Sequence, residues 1–363
     1  MSEDRTARIL KLLKRFAEAT AAESELYRRL TLGVIDDEYL LDLAAHAPEG
    51  QPPANMLFAA VHYLLLGGVE HELAAFYPTV SGAEPPAGDP FPVFSDFCRQ
   101  FRDDMLPLLA GRRVQTNEVR RAIVLLPGFE EVARRSHRRL ATVEVGTAAG
   151  LLTLWDLYRY DYGEAGQVGD EAAALTLHTE VRGDAPPIGL PARAWSAGID
   201  INPIDLSHPD EVTWLRSLIW PDQVERMERI DAAIEVARAN PPNLIGGDGL
   251  DMLGEVVAQA PDDAVVVVHH SFALNQVSKE DRQSFNDEVA WLGSERDLFL
   301  VSVLWDANDL NFELVLGTPR DGQLDIEPLA RVHHHGEWIS WGPDPPRPKP
   351  NPPSAAVGSA SGR

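Results

Sequence analysis

The chain has 363 residues, 44% of them hydrophobic and 24% charged, enough for more than one core in an ordinary globular protein. Its formal net charge is −24, of which residues 139–342 carry −22; so acidic a body repels nucleic acid and anionic membrane, and neither is an expected partner. Cys98 is the single cysteine, which excludes an intrachain disulfide framework and a cysteine-built zinc site.

The opening MSEDRTARILKLLKRF is charged throughout and does not read as a secretory signal, and no later stretch reaches the ~20 apolar residues of a membrane helix. A cytoplasmic location is expected. Residues 1–138 read as an all-helical domain. Ile9, Leu12, Leu13 and Phe16 recur at helical spacing, as do Leu40, Leu41, Leu43 and Ala44. Asn55 to Leu66 predicts a helix stopped by Gly67-Gly68, residues 81–92 a loop, and Val93 to Leu109 a further helix. Glu118 to Leu140 predicts one or two helices interrupted at Pro127-Gly128. Eight arginines between Arg112 and Arg139 read as a solvated helix face, with an anion-facing wall as the sharper alternative.

From residue 139 short apolar runs alternate with amphipathic stretches. Strands are predicted at 142–145, 194–199, 243–245, 264–268, 298–304, 312–316 and 330–332, and helices at 150–158, 221–239, 250–259 and 279–294. That alternation predicts an α/β domain over 139–342 with a mostly parallel, seven-stranded sheet. The last two strands are joined through Thr318-Pro319-Arg320-Asp321-Gly322, a hairpin expected to close one edge. Residues 160–191 read as an insertion that holds a short extra strand near Leu175–Val181. The Pro-rich stretch 343–363 is expected to be a disordered tail.

In an open parallel sheet ligands bind beyond the carboxyl ends of the strands. Glu144 and the turn Gly146-Thr147-Ala148-Ala149-Gly150 follow the first predicted strand, Asp200 the second, Gly246-Gly247-Asp248 the third, and His269-His270-Ser271-Phe272 the fourth. A glycine turn opening a helix gives a ligand backbone N–H groups and close approach. Either His269 or His270 is a candidate general base, since imidazole titrates near neutrality. Each acid also has a plain structural use: Asp248 as a helix cap, Asp200 as a turn acid, Glu144 as a partner for a cap or an arginine. His333-His334-His335 is read as edge-strand residues near Trp338 and Trp341. Consecutive strand residues point to alternate faces, so no metal site is expected there.

The pattern Glu144-x-Gly146-x-Ala148-x-Gly150 resembles the first motif of class I S-adenosylmethionine-dependent methyltransferases, with Ala148 in place of one glycine. The resemblance implies a Rossmann-like methyltransferase fold with S-adenosylmethionine as cofactor. Glu144, Gly146, Thr147, Ala148 and Gly150 would face its amino-acid portion, Asp200 its ribose and Asp248 its adenine. Over nearly the whole chain, QTNEVRR (115–121), VEVGTAAGLLTLWDLYRYDYG (143–163), IDINPIDL (199–206), LIWPDQVERMERIDAAI (218–234), GGDGLDML (246–253), VVVHHSF (266–272) and HHHGEWISW (333–341) resemble the bacterial family DUF2332. That resemblance implies a helical front joined to a methyltransferase-like domain and names no substrate.

The expected function is methyl transfer to a small molecule or a protein, with Asn117, Glu118 and Arg121 as polar groups brought to the substrate by the helical domain. A methyltransferase-like scaffold without catalysis and an NAD-dependent oxidoreductase are the alternatives. The sequence has neither a G-x-S-x-G elbow nor a P-loop, which sets aside those hydrolase classes.

Overall fold

A computed structural model of the protein describes residues 3–20, 23–306 and 311–342; the tail expected at 343–363 lies outside them. The helices are α1 (Glu3–Thr20), α2 (Glu25–Ile35), α3 (Glu38–Ala44), α4 (Pro53–Leu66), α5 (Pro78–Ser81), α6 (Phe91–Gln100), α7 (Arg102–Gly111), α8 (Arg121–Ser136), α9 (Pro209–Ser217), α10 (Val224–Ala239), α11 (Gly249–Val257) and α12 (Lys279–Glu295). The strands are β1 (Leu140–Val145), β2 (Arg159–Asp161), β3 (Gln167–Val168), β4 (Thr176–His178), β5 (Glu180–Val181), β6 (Arg193–Asp200), β7 (Leu244–Gly246), β8 (Val265–Ser271), β9 (Leu298–Asp306), β10 (Asn311–Arg320), β11 (Gln323–Val332) and β12 (Trp338–Trp341). The chain forms two compact units, one of residues 1–116 and 207–228, the other of 117–206 and 229–342.

The first unit is helical. Ser24 and Asp37 accept backbone N–H groups at the starts of α2 and α3, satisfying donors that a helix start leaves open. Its core gathers Leu13, Leu30, Phe58, Phe94, Phe97 and Cys98 with Trp214 of α9. Burial pushes the Cys98 thiol well above its ordinary range, so it behaves as a small apolar side chain. His62 is fully buried and is held down at about 4 by that burial; it bonds to the Ser217 carbonyl and to Thr79. The single helix expected over Val93–Leu109 is two, parted at Phe101.

The second unit is built on a nine-stranded sheet in the order β5-β12-β11-β10-β9-β8-β1-β6-β7. The seven predicted strands are β1 and β6 to β11, and the expectation of seven is corrected by β12 and β5. These pair beyond the β10–β11 hairpin, which therefore does not close the edge. Neighbours from β7 to β9 run parallel and β9 to β12 antiparallel. Asp321 and Gly322 turn the hairpin with φ of 50° and 75°, as a tight two-residue turn requires. The insertion folds in part as a separate three-stranded sheet, β3-β2-β4.

Alternation along the strands sends side chains to two layers. Val143, Val145, Val266, Val268, Leu298 and Leu300 pack with Leu253, Val257, Phe285 and Val289 of α11 and α12. On the other face lies α8, where Phe129 meets His269 and Trp155. This helix runs unbroken through Pro127, against the interruption predicted there. Proline cannot donate to the carbonyl four residues back, that of Ile123. The Tyr162 hydroxyl donates to it instead, at 2.6 Å.

Candidate functional site at the strand ends

β1 is followed along the chain by β6 on one side, while β8 lies on its other side, so the strand order reverses between β1 and β8. The carboxyl ends of these two strands are where an open parallel sheet receives ligands. Residues 146, 148 and 150 all take positive φ, at 77°, 51° and 76°. Glycine meets that demand at two of them, while Ala148 adopts a left-handed conformation that costs an L residue about 1–2 kcal/mol. A Cβ on Gly146 would overlap that of Ala273, and one on Gly150 would sit 2.7 Å from Leu244. Gly146 is nonetheless the exposed point of the turn. The helix predicted next is a 3-10 helix, Leu151–Leu157.

The turn is tied down by its neighbours. Gly146 and Thr147 donate backbone N–H groups to the Ile199 carbonyl, and Ala148 donates to Asp200 Oδ2 at 2.8 Å. Asp200 Oδ1 accepts from the Asn202 N–H at 2.9 Å. The carboxylate thus closes the β6 loop onto the glycine turn. Leu151, the first residue past the turn, donates to Asn117 Oδ1 at 3.2 Å.

Glu144 lies beneath the turn at 1% exposure and accepts a 2.6 Å hydrogen bond from the Thr147 hydroxyl. Burial pushes its carboxyl up to about 8; the Thr147 bond and the Arg121 charge oppose this, and the Asp200 charge adds to it. At neutral pH Glu144 is therefore mostly protonated, a hydrogen-bonding group more than a counter-charge. His269 is its partner in the β1–β8 register, so both side chains leave the same face of the sheet. His269 is fully buried, and both of its ring nitrogens lack hydrogen-bond partners. His270 points to the opposite face, against Phe285, and bonds to Ser302 at 2.9 Å. Burial holds the two imidazoles down at about 3 and about 4. Side by side in sequence, they are not brought together in space.

Asp248 is exposed and caps α11, accepting from the Leu250 N–H. Asn117, Glu118 and Arg121 stand in the same compact unit as the sheet, immediately before and at the start of α8. Glu118 is buried, accepts the Arg120 N–H and has Arg229 at 3.6 Å. The Arg121 guanidinium lies 4.3 Å from the centroid of Phe272, which itself holds a left-handed φ of 74°. Strained residues of this kind gather at ligand sites, and this one was not legible from composition. The arginine wall resolves into ion pairs: Arg120 with Glu337, Arg134 and Arg135 with Glu131, Arg138 with Asp297, Arg139 with Asp263.

His333, His334 and His335 lie in the turn between β11 and β12, and the alternation expected of a strand does not apply. Their rings pack in series with centroids 4.2 Å and 4.0 Å apart, tilted by 48° and 47°. Among the described residues no helix is long and apolar enough to cross a membrane. The family described as "Uncharacterized protein conserved in bacteria (DUF2332)" matches residues 11–341. No curated protein matches the chain.

Proposed function

The chain belongs to the DUF2332 family, and on that premise we propose that its sheet-bearing unit binds S-adenosylmethionine at the carboxyl ends of β1 and β6 and serves methyl transfer to a small molecule or a protein. One observation carries the reading: the glycine turn at the reversal of strand order is hydrogen-bonded to the acid that ends the next strand, Asp200. The parallel order β7-β6-β1-β8-β9 supports the reading, because open α/β sheets receive ligands beyond the carboxyl ends of their strands.

The residues fit the group. Asp200 is half-buried at the end of β6, where it would face the ribose hydroxyls. Gly146 is exposed and would face the ligand's amino-acid portion, and Asp248, also exposed, would face its adenine. Thr147 and Glu144 act from beneath, holding the turn's shape through their mutual hydrogen bond. When bound, the cofactor supplies an electrophilic methyl on a sulfonium. The protein's share is to orient an acceptor for in-line attack. Phe272 and Arg121 border that approach, and the acidic body favours a cationic ligand. His269 and His270, buried on opposite faces of β8, are weak bases at about 3 and about 4; this favours an acceptor whose nucleophile carries no proton at neutral pH. The same burial supports the second reading, a cofactor-binding scaffold that transfers nothing.

Calorimetry on the full chain with S-adenosylmethionine and S-adenosylhomocysteine is the test. Asp200→Asn is expected to weaken binding about 10-fold or more through one to two charge-assisted hydrogen bonds. Gly146→Val, which forces a side chain into Ala273, is expected to abolish binding in protein that remains folded. No heat with either ligand at millimolar concentration defeats the proposal. Quenching on titration with NADH in that case assigns the turn to a nicotinamide cofactor. Binding without methyl transfer to any protein or small-molecule extract leaves the scaffold reading.

A further inference from the structure

We propose that the strand ends of β8, β9 and β10, on their α8 side, form a subsite for a planar aromatic carboxylate, the methyl acceptor of the reading above, on which its role as acceptor rests. The sheet fixes which side chains stand there. A Cβ on Gly128 of α8 would meet Val301 and Leu314 at 2.7 Å and 3.7 Å, so those two residues face α8. Alternation puts Trp305, four residues beyond Val301, and Phe312, two before Leu314, on that same side. Trp305 and Phe312 are register partners across β9 and β10. The Phe312 ring packs at 4.8 Å against Phe272, the residue that follows β8. Phe272 leads directly into Ala273, which a side chain on Gly146 would overlap. The aromatic wall therefore borders the glycine turn, and Trp305, Phe272 and Phe312 are all half-buried, each with an edge left to solvent.

Hydrogen-bonding capacity is left open along this wall. Among the described residues the Trp305 Nε1–H is buried without a partner, and so are both ring nitrogens of His269, two residues before the end of β8 and turned to Phe129 of α8. A buried donor left unpaired costs about 1–3 kcal/mol. An indole only donates, so the group that completes it is an acceptor. The Arg121 guanidinium, 4.3 Å from the Phe272 ring and bonded through Nε to the His334 carbonyl, sets a positive charge at the edge of the wall. Aromatic rings, an N–H donor and a nearby cation together select a flat ring that bears an anionic oxygen. A carboxylate meets one further condition. Its oxygen carries no proton at neutral pH, so the weakly basic imidazoles of His269 and His270 have none to remove.

The test titrates the full chain by calorimetry with 1-naphthoate, 1-naphthamide and 1-naphthylmethylammonium, each with and without S-adenosylhomocysteine. Naphthoate is expected to bind ~10-fold more tightly than the amide, the difference between a charged and a neutral acceptor, and the ammonium probe to show no saturable binding. Trp305→Phe keeps an aromatic body and removes the N–H. It should weaken naphthoate binding about 10-fold while leaving the urea unfolding midpoint unchanged or higher, because an unpaired donor has gone. A tryptophan that only packs would give the reverse, lost stability with naphthoate affinity intact. Phe312→Leu should weaken naphthoate and naphthamide alike, by roughly 3-fold or more. No binding of naphthoate, equal affinity for the three probes, or wild-type naphthoate affinity in Trp305→Phe overturns the subsite. Heat with S-adenosylhomocysteine in any of those cases leaves the cofactor reading standing. Naphthoate binding in protein that gives no heat with S-adenosylhomocysteine or S-adenosylmethionine defeats the cofactor reading and upholds the subsite as a ligand site.

Discussion

Replacing Glu144 with glutamine should make the protein more stable at neutral pH, although the residue is buried in β1 beneath the glycine turn. The folded carboxyl titrates at about 8, against an ordinary value of 4.5. Between those values the unfolded chain has released a proton that the folded chain keeps. Stability therefore falls as pH rises through the interval, by about 1.4 kcal/mol per unit, and levels off above the folded value. Below 4.5 both states hold the proton and the burden vanishes. At pH 7 it amounts to about 3 kcal/mol, an order-of-magnitude figure for a fully buried group. Glutamine keeps the shape and the acceptor for the Thr147 hydroxyl but does not titrate. Glu144→Gln should thus match the wild type near pH 4.5 and exceed it by up to about 3 kcal/mol at pH 7. Hydrogen exchange of peptides spanning residues 140–145, measured across that range, reports the unit concerned. Parallel pH dependences for the two proteins would falsify the argument.

The acid side should show the opposite slope. His62, His269 and His270 are held at about 4, 3 and 4 by burial, so the unfolded chain binds their protons first as pH falls below 6.5; each imidazole should cost about 1.4 kcal/mol per pH unit down to its folded value, visible as steep acid unfolding in urea titrations. Gly146→Ala combines a left-handed φ with overlap on Ala273 and should destabilise by about 2–4 kcal/mol, whereas Gly82→Ala, with φ of 64° and open space around it, should lose only about 1 kcal/mol; equal losses would show that Ala273 yields freely. Tyr162→Phe strips the hydroxyl that donates to the Ile123 carbonyl and should cost about 1–3 kcal/mol, with much of it recovered in Tyr162→Phe/Pro127→Ala, where alanine restores the helical N–H. A double variant no better than the single one would refute that account of α8.

The sheet was legible wherever apolar runs were long enough to carry a period. The predicted run at 142–145 sits inside β1, and that at 264–268 overlaps β8 from its first residue. β5 is two residues long and β12 four, too short for any alternation, and β5 pairs with β12 across more than a hundred residues. Pro127 misled for a reason local sequence does not contain, since the hydroxyl that satisfies Ile123 arrives from residue 162. The glycine turn after β1 and the acid ending β6 were legible from residue type and position, and the structure joins them by a hydrogen bond. The histidines were not. Adjacency in sequence put His269 and His270 in one role, but on a strand it parts them to opposite layers. The same rule, applied to His333–His335, failed because those residues occupy a turn.

The sheet finishes on its shortest members, three residues of β7 on one side and two of β5 on the other, with the nine- and ten-residue strands β9, β10 and β11 enclosed between them. A foreign strand docking sideways finds almost no row of open N–H and C=O groups to copy. Nine strands could template aggregation readily. Here the taper confines pairing to the molecule itself, and a substitution that lengthened either rim would expose the chain to edge-to-edge association before it disturbed the strand ends where the glycine turn lies.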